Sequence, residues 1–174
     1  SSDLGSNNEA EFKDALNEMK KGNFTSEEIE ATLGLFAEKG TGPISHSYDQ
    51  NRAKNWFKWK DQAPTTAQIT QGIRNDTPSF VCRDMMTLVG QSLKTLGYKN
   101  VYFVAFNSFS EPHTTLVAED PKNPNRKIKM DYGDVQIGKL NTGTNGLLQM
   151  GDVSNSYYIY QVNEVGTPGR AITV

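Results

Sequence analysis

From Glu9 to Lys21 the apolar residues Phe12, Leu16 and Met19 recur at helical spacing among charged neighbours, and Gly22 closes the run. The pattern predicts a short amphipathic helix with one buried stripe and one solvated face. Thr25 followed three residues later by Glu28 is a capping-box pattern. It opens a second helix that runs to Lys39, buries Ile29, Leu33 and Phe36, and stops at Gly40. Together the two read as a helical hairpin. Tyr48 to Asp61, with Ala53, Trp56, Phe57 and Trp59, predicts a third helix, and Pro64 to Ile73 a shorter fourth. After the turn-forming stretch Asn75 to Ser79 comes a run in which Met85, Leu88, Val89, Leu93 and Leu96 share one helical face, ended by Gly97. Its polar residues Gln91, Ser92, Lys94 and Thr95 come late, so its first turns, with Cys82 at the N-terminal end, are expected inside the domain.

The period then changes to that of strands. Every residue from Val101 to Phe106 is apolar, as expected of a central strand covered on both faces. His113 to Glu119 alternates. Lys127 to Tyr132 alternates more cleanly, with Ile128, Met130 and Tyr132 on one face and Lys127, Lys129 and Asp131 on the other. Asp120 to Arg126, rich in Pro and Asn, is turn chemistry. Residues 133–151 read as a Gly- and Asn-rich loop, followed by one last strand from Tyr157 to Val162. The result is an α+β chain with N-terminal helices packed on a small antiparallel sheet. Residues 1–8 are expected to form a disordered polar arm, and 9–174 one domain with a helical part (9–77) and a helix-plus-sheet part (78–174).

Charge and composition narrow the partners. The 18 Lys and Arg are balanced by 20 Asp and Glu, leaving no basic excess to displace counterions from a phosphate backbone, so nucleic acid is not expected. No apolar run nears the roughly 20 residues that cross a bilayer, so no membrane partner is expected. A domain of 174 residues buries about 70% of its unfolded surface, enough to fold as a monomer without disulfides or a structural metal. The chain begins at Ser1 and not at Met, giving the expectation of a removed leader and a secreted or periplasmic location.

The chemistry follows from strand register. Centring the 120–126 turn on Lys122 pairs Leu116 with Ile128 and Thr114 with Met130, apolar against apolar, and on the other face Thr115 with Lys129 and His113 with Asp131. Opposed residues have Cβ atoms about 4.5 to 5.5 Å apart, close enough for a carboxylate to accept an imidazole N–H. Cys82, at a helix start where unpaired N–H groups and the dipole favour thiolate, supplies a nucleophile. These three residue types make a triad: Cys82 attacks a carbonyl, His113 moves the proton, and Asp131 holds the imidazole tautomer. The Cys82 backbone N–H is placed to help hold an oxyanion.

In this order and spacing, Cys82, His113 and Asp131 resemble the transglutaminase-like superfamily of papain-type cysteine enzymes. The local match is Val81-Cys82-Arg83-Asp84, continuing into Leu93-Lys94-Thr95-Leu96-Gly97-Tyr98, and it spans about a third of the chain, from Pro78 to Val135. The chain departs from the family pattern at Phe80, at Thr114-Thr115 and at Tyr132. The resemblance implies a papain-like core and cysteine peptidase, amidase or protein-glutamine acyltransferase activity through a thioester. It implies a peptide or protein amide substrate and no cofactor. Inactive relatives supply a second expectation, an inert binding or scaffold module for peptide or cell-wall glycopeptide.

Each residue also has a plainer reading. Cys82 fits a small core hydrophobe, Asp84 a first-turn acid that stabilises its helix, His46 an exposed loop histidine, and Asn75 and Asp76 turn formers. Asp134 is the rival for the third triad position, and Asp131 is preferred on strand parity. Zinc on Cys82, His113 and a carboxylate would lack the paired ligand spacing usual for that metal.

Overall fold

The computed structural model describes residues 9–36, 82–108, 111–138, 156–163 and 168–171. The expected N-terminal arm, the helices at 48–61 and 64–73, and the end of the second helix at 37–39 lie outside these residues.

The first helix, α1, spans Glu9–Lys21 and the second, α2, Ser26–Phe36. The capping box is formed. Glu28 N–H donates to Thr25 Oγ1 at 3.1 Å while Thr25 N–H donates back to Glu28 Oε1 at 3.3 Å, satisfying donors that a helix start leaves open. The third described helix, α3, spans Cys82–Thr95. It ends in a Schellman motif: Tyr98 N–H bonds Leu93 O at 2.9 Å, Gly97 N–H bonds Lys94 O at 3.1 Å, and Gly97 sits at φ 92°. Only glycine takes that conformation without strain.

Six antiparallel strands follow: β1 Lys99–Ser108, β2 Glu111–Glu119, β3 Lys127–Asp131, β4 Asp134–Gly138, β5 Ser156–Val162 and β6 Pro168–Ala171. Their order across the sheet is β4-β3-β2-β1-β5-β6, so β1 is internal, as its unbroken apolar run requires. Phe103 and Ala105 on one face and Tyr102 and Val104 on the other are all buried. The helices pack on the Phe103 face: α3 lies against β1, β2 and β5, α2 against β4, and α1 against α3. Phe12 and Leu16 of α1, Leu33 of α2, Met85 and Leu93 of α3, and Met130 of β3 share one core. The chain is therefore α+β, with helices layered on an antiparallel sheet.

Three expectations are corrected. The β2–β3 hairpin pairs Leu116 with Met130, Ala118 with Ile128 and Glu119 with Lys127. This is two residues away from the expected Leu116–Ile128 pairing, and the turn centres on Asn123. A shift of two keeps every side chain on its face, so apolar matching cannot tell the registers apart; charge can. The observed register sets Glu119 against Lys127 in a buried ion pair, and the turn is tied by Asp120 N–H to Arg126 O and Arg126 N–H to Asn123 O. Residues 134–138, read as loop, form β4, which pairs along β3 from Lys127–Gly138 to Asp131–Asp134. The turn between them is Tyr132-Gly133, with Tyr132 at φ 51° and its side chain packed against the core that holds Ile128 and Met130. Finally, β5 is not the last strand: β6 pairs with it, its Pro168 tolerated because the strand is at the sheet edge.

One helix contact carries a prediction. A Cβ on Gly34 would meet the Gly133 carbonyl oxygen at 2.9 Å, so α2 lies directly against the β3–β4 turn. Gly34→Ala gains about 1 kcal/mol of helix propensity, but it forces a methyl against backbone, an overpacking cost of about 1 to 3 kcal/mol. Urea unfolding is expected to show a net loss of stability; a gain near 1 kcal/mol would mean that α2 shifts freely on the turn.

Candidate active site

His113 lies near the start of β2 and Asp131 at the end of β3. In the observed register the position following Leu116–Met130 sets Asp131 beside Thr115, which makes His113 its diagonal neighbour. Diagonal Cα atoms are about 7 to 8 Å apart, within reach of an imidazole. The side chains meet, with His113 Nε2 2.6 Å from Asp131 Oδ1. The imidazole is 17% and the carboxylate 35% exposed, so the pair is sheltered but open to solvent on one side. A carboxylate partner assigns the proton to Nε2, which makes Nδ1 the unprotonated nitrogen of the neutral ring. The Tyr132 ring lies against the imidazole, centroids 5.6 Å apart and planes at 36°, while its other contacts reach the core. Asp134 faces Asp131 across the turn, but the imidazole bonds Asp131.

Cys82 is the first residue of α3; its side chain, and those of Arg83 and Asp84, lie outside the described residues, as do His46, Asn75, Asp76 and Phe80. The height of the helix start along the sheet follows from backbone geometry. A Cβ on Gly90 would touch the Leu116 side chain at 3.3 Å, and the C-terminal end of α3 leads through Gly97 to Lys99, paired with Glu119. Eight helical residues back from Gly90 is about 12 Å, and three strand residues back from Leu116 is about 10 Å. The start of α3 and His113 therefore lie at the same end of the helix and sheet layers. Strand parity adds a constraint. His113 and Asp131 alternate with the core residues Leu116 and Met130 that face α3, so the pair projects from the other face of the sheet.

Tyr132 is the neighbour of the pair that sequence reading missed as such. For Tyr132 the signal was the Tyr-Gly pair between two alternating runs. Among the described residues no three His, Cys, Asp or Glu side chains converge as metal ligands. In comparisons with known proteins the chain matches no family model, no curated protein and no solved structure.

Proposed function

We propose that this chain is a transglutaminase-like enzyme with a papain-like core that hydrolyses an amide bond of a peptide or protein through Cys82, His113 and Asp131. The observation that carries the reading is the 2.6 Å contact between His113 Nε2 and Asp131 Oδ1, which holds an imidazole in the tautomer a thiol needs. In the proposed reaction the Cys82 thiol passes its proton to His113 Nδ1, and the sulfur attacks the amide carbon. The tetrahedral oxyanion takes a hydrogen bond from the Cys82 backbone N–H at the helix start. The intermediate collapses to a thioester as the imidazolium protonates the departing amine. Water, deprotonated by Nδ1, then releases the carboxylic acid and restores the thiol. An amine in place of water makes the same thioester a transamidation intermediate, and hydrolysis is preferred because water is the commoner acceptor.

A second reading, the inert peptide-binding or scaffold module, is favoured by one observation: the pair projects from the sheet face opposite α3. Alkylation of Cys82 by iodoacetamide against pH, in the wild type and in His113→Ala, separates the two. The enzyme reading expects a reactive plateau well below the free-thiol pKa of about 8.5, lost in the variant. A thiol that reacts only on unfolding would leave the scaffold reading.

A further inference from the structure

Thr115 is fully buried, and its hydroxyl has no hydrogen-bond partner. An orphaned buried hydroxyl is destabilising, and valine, its isostere, would avoid that cost. Its surroundings on the sheet are specific. Val104 is its cross-strand neighbour on β1, and Val117 and His113 flank it on β2. On β3 the next position of the ladder sets Asp131 beside it, with Lys129 on the diagonal. A hydroxyl proton needs an acceptor, and neither valine nor the lysine ammonium offers one. His113 has already engaged Asp131 Oδ1 through Nε2. Among the described side chains beside it, the second oxygen of the Asp131 carboxylate is an acceptor toward which a change of χ1 well can turn Thr115 Oγ1, since staggered wells exchange the methyl and hydroxyl positions.

We propose that Thr115 is a positioning residue of the His113–Asp131 pair: its hydroxyl donates to the Asp131 carboxylate and so fixes the oxygen that receives the imidazole N–H. This deepens the site described above but does not depend on its chemistry. Three groups then hold the imidazole in place: the carboxylate on Nε2, the Tyr132 ring at its side, and Thr115 behind the carboxylate. No covalent step is involved.

The test compares Thr115→Val and Thr115→Ser by thermal unfolding and by the 15N-edited NMR signal of the His113 Nε2 proton. The expected result is that the Nε2–H resonance, protected from solvent exchange in the wild type, broadens or is lost in Thr115→Val and is retained in Thr115→Ser. Thr115→Val should also melt no higher than the wild type, because a used hydrogen bond has been removed. If the valine variant melts higher and its Nε2–H signal is unchanged, the hydroxyl is an orphan and the proposal fails. Where the two readouts disagree, the resonance decides. Neither passes through the thiol, so an inert Cys82 would overturn the enzyme reading and leave this result standing.

Discussion

Replacing Glu30 by alanine is expected to lower stability by about 3 to 5 kcal/mol, the usual loss when one partner of a buried ion pair is removed. Glu30 and Arg126 are 2% and 11% exposed, and the guanidinium grips the carboxylate with two parallel bonds, Nη1 to Oε2 and Nη2 to Oε1, each 2.6 Å. The hydrogen bonds to Glu30 hold Arg126 firmly charged. The same carboxylate accepts the Tyr98 hydroxyl. Burial, with Glu30 next in effect, pushes Tyr98 ionisation up, so the phenol stays a donor. Asp120 completes the network, accepting from Ser26 Oγ at 2.7 Å and from Arg126 Nη1 at 3.2 Å. The start of α2, the α3–β1 connection and the β2–β3 turn are thus tied at one point. At this chain length each kcal/mol moves the melting temperature by about 2 to 4 °C, so a fall of roughly 6 to 20 °C is expected in Glu30→Ala. The double variant Glu30→Met with Arg126→Met should recover part of that loss, because the guanidinium is then not left without its main partner, while Asp120 keeps its bonds from the Ser26 hydroxyl and the Lys122 N–H. A fall of under about 1 kcal/mol in the single variant would mean that water enters and pairs the guanidinium.

The placement of this network explains why some of the fold was legible in the sequence and some was not. Period, caps and stops are local, and they were readable: α1 spans its expected residues, Thr25 and Glu28 close a capping box, and Gly97 ends α3. Register depends on pairing at a distance. Leu116 and Ala118 offer the same apolar face to Ile128 and Met130 in two alignments, and only the opposition of Glu119 to Lys127 and the ties of Asp120 and Arg126 distinguish them. Charged residues near a turn read as solvated, yet Glu119, Asp120 and Lys127 are buried and the Arg126 side chain is only 11% exposed. Strand β4 was hidden because Val135 and Ile137 alternate over only five residues within a Gly- and Asn-rich stretch. In the site, the meeting of His113 and Asp131 survives the register change because a shift of two preserves facing, and a long side chain spans the diagonal. The role of Tyr132 was not legible, since a left-handed turn at a non-glycine residue is set by tertiary contact and not by local preference.

On the proposed amide-hydrolase reading, Asp131→Asn is expected to lower turnover by on the order of 10² to 10⁴-fold with little change in stability, and it examines the chemistry more sharply than deletion of the side chain. The carboxylate can only accept, so it assigns the imidazole proton to Nε2. An asparagine amide in the same place can present its N–H₂ to Nε2, which moves the ring proton to Nδ1 and removes the base that a thiol requires. Shape is preserved, and because the carboxylate is 35% exposed its loss leaves no unpaired charge in the core, so the melting temperature should stay within a few degrees of wild type. The thiol should then need a higher pH to react with iodoacetamide, as in His113→Ala, because in both variants the imidazole no longer takes its proton. If Asp131→Asn leaves the alkylation profile unchanged while His113→Ala shifts it, the imidazole works without its carboxylate, and the 2.6 Å contact is a strand-pairing bond. If neither variant shifts the profile, the thiol and the imidazole are uncoupled. The position of the pair on the sheet face away from α3 would then be the reason.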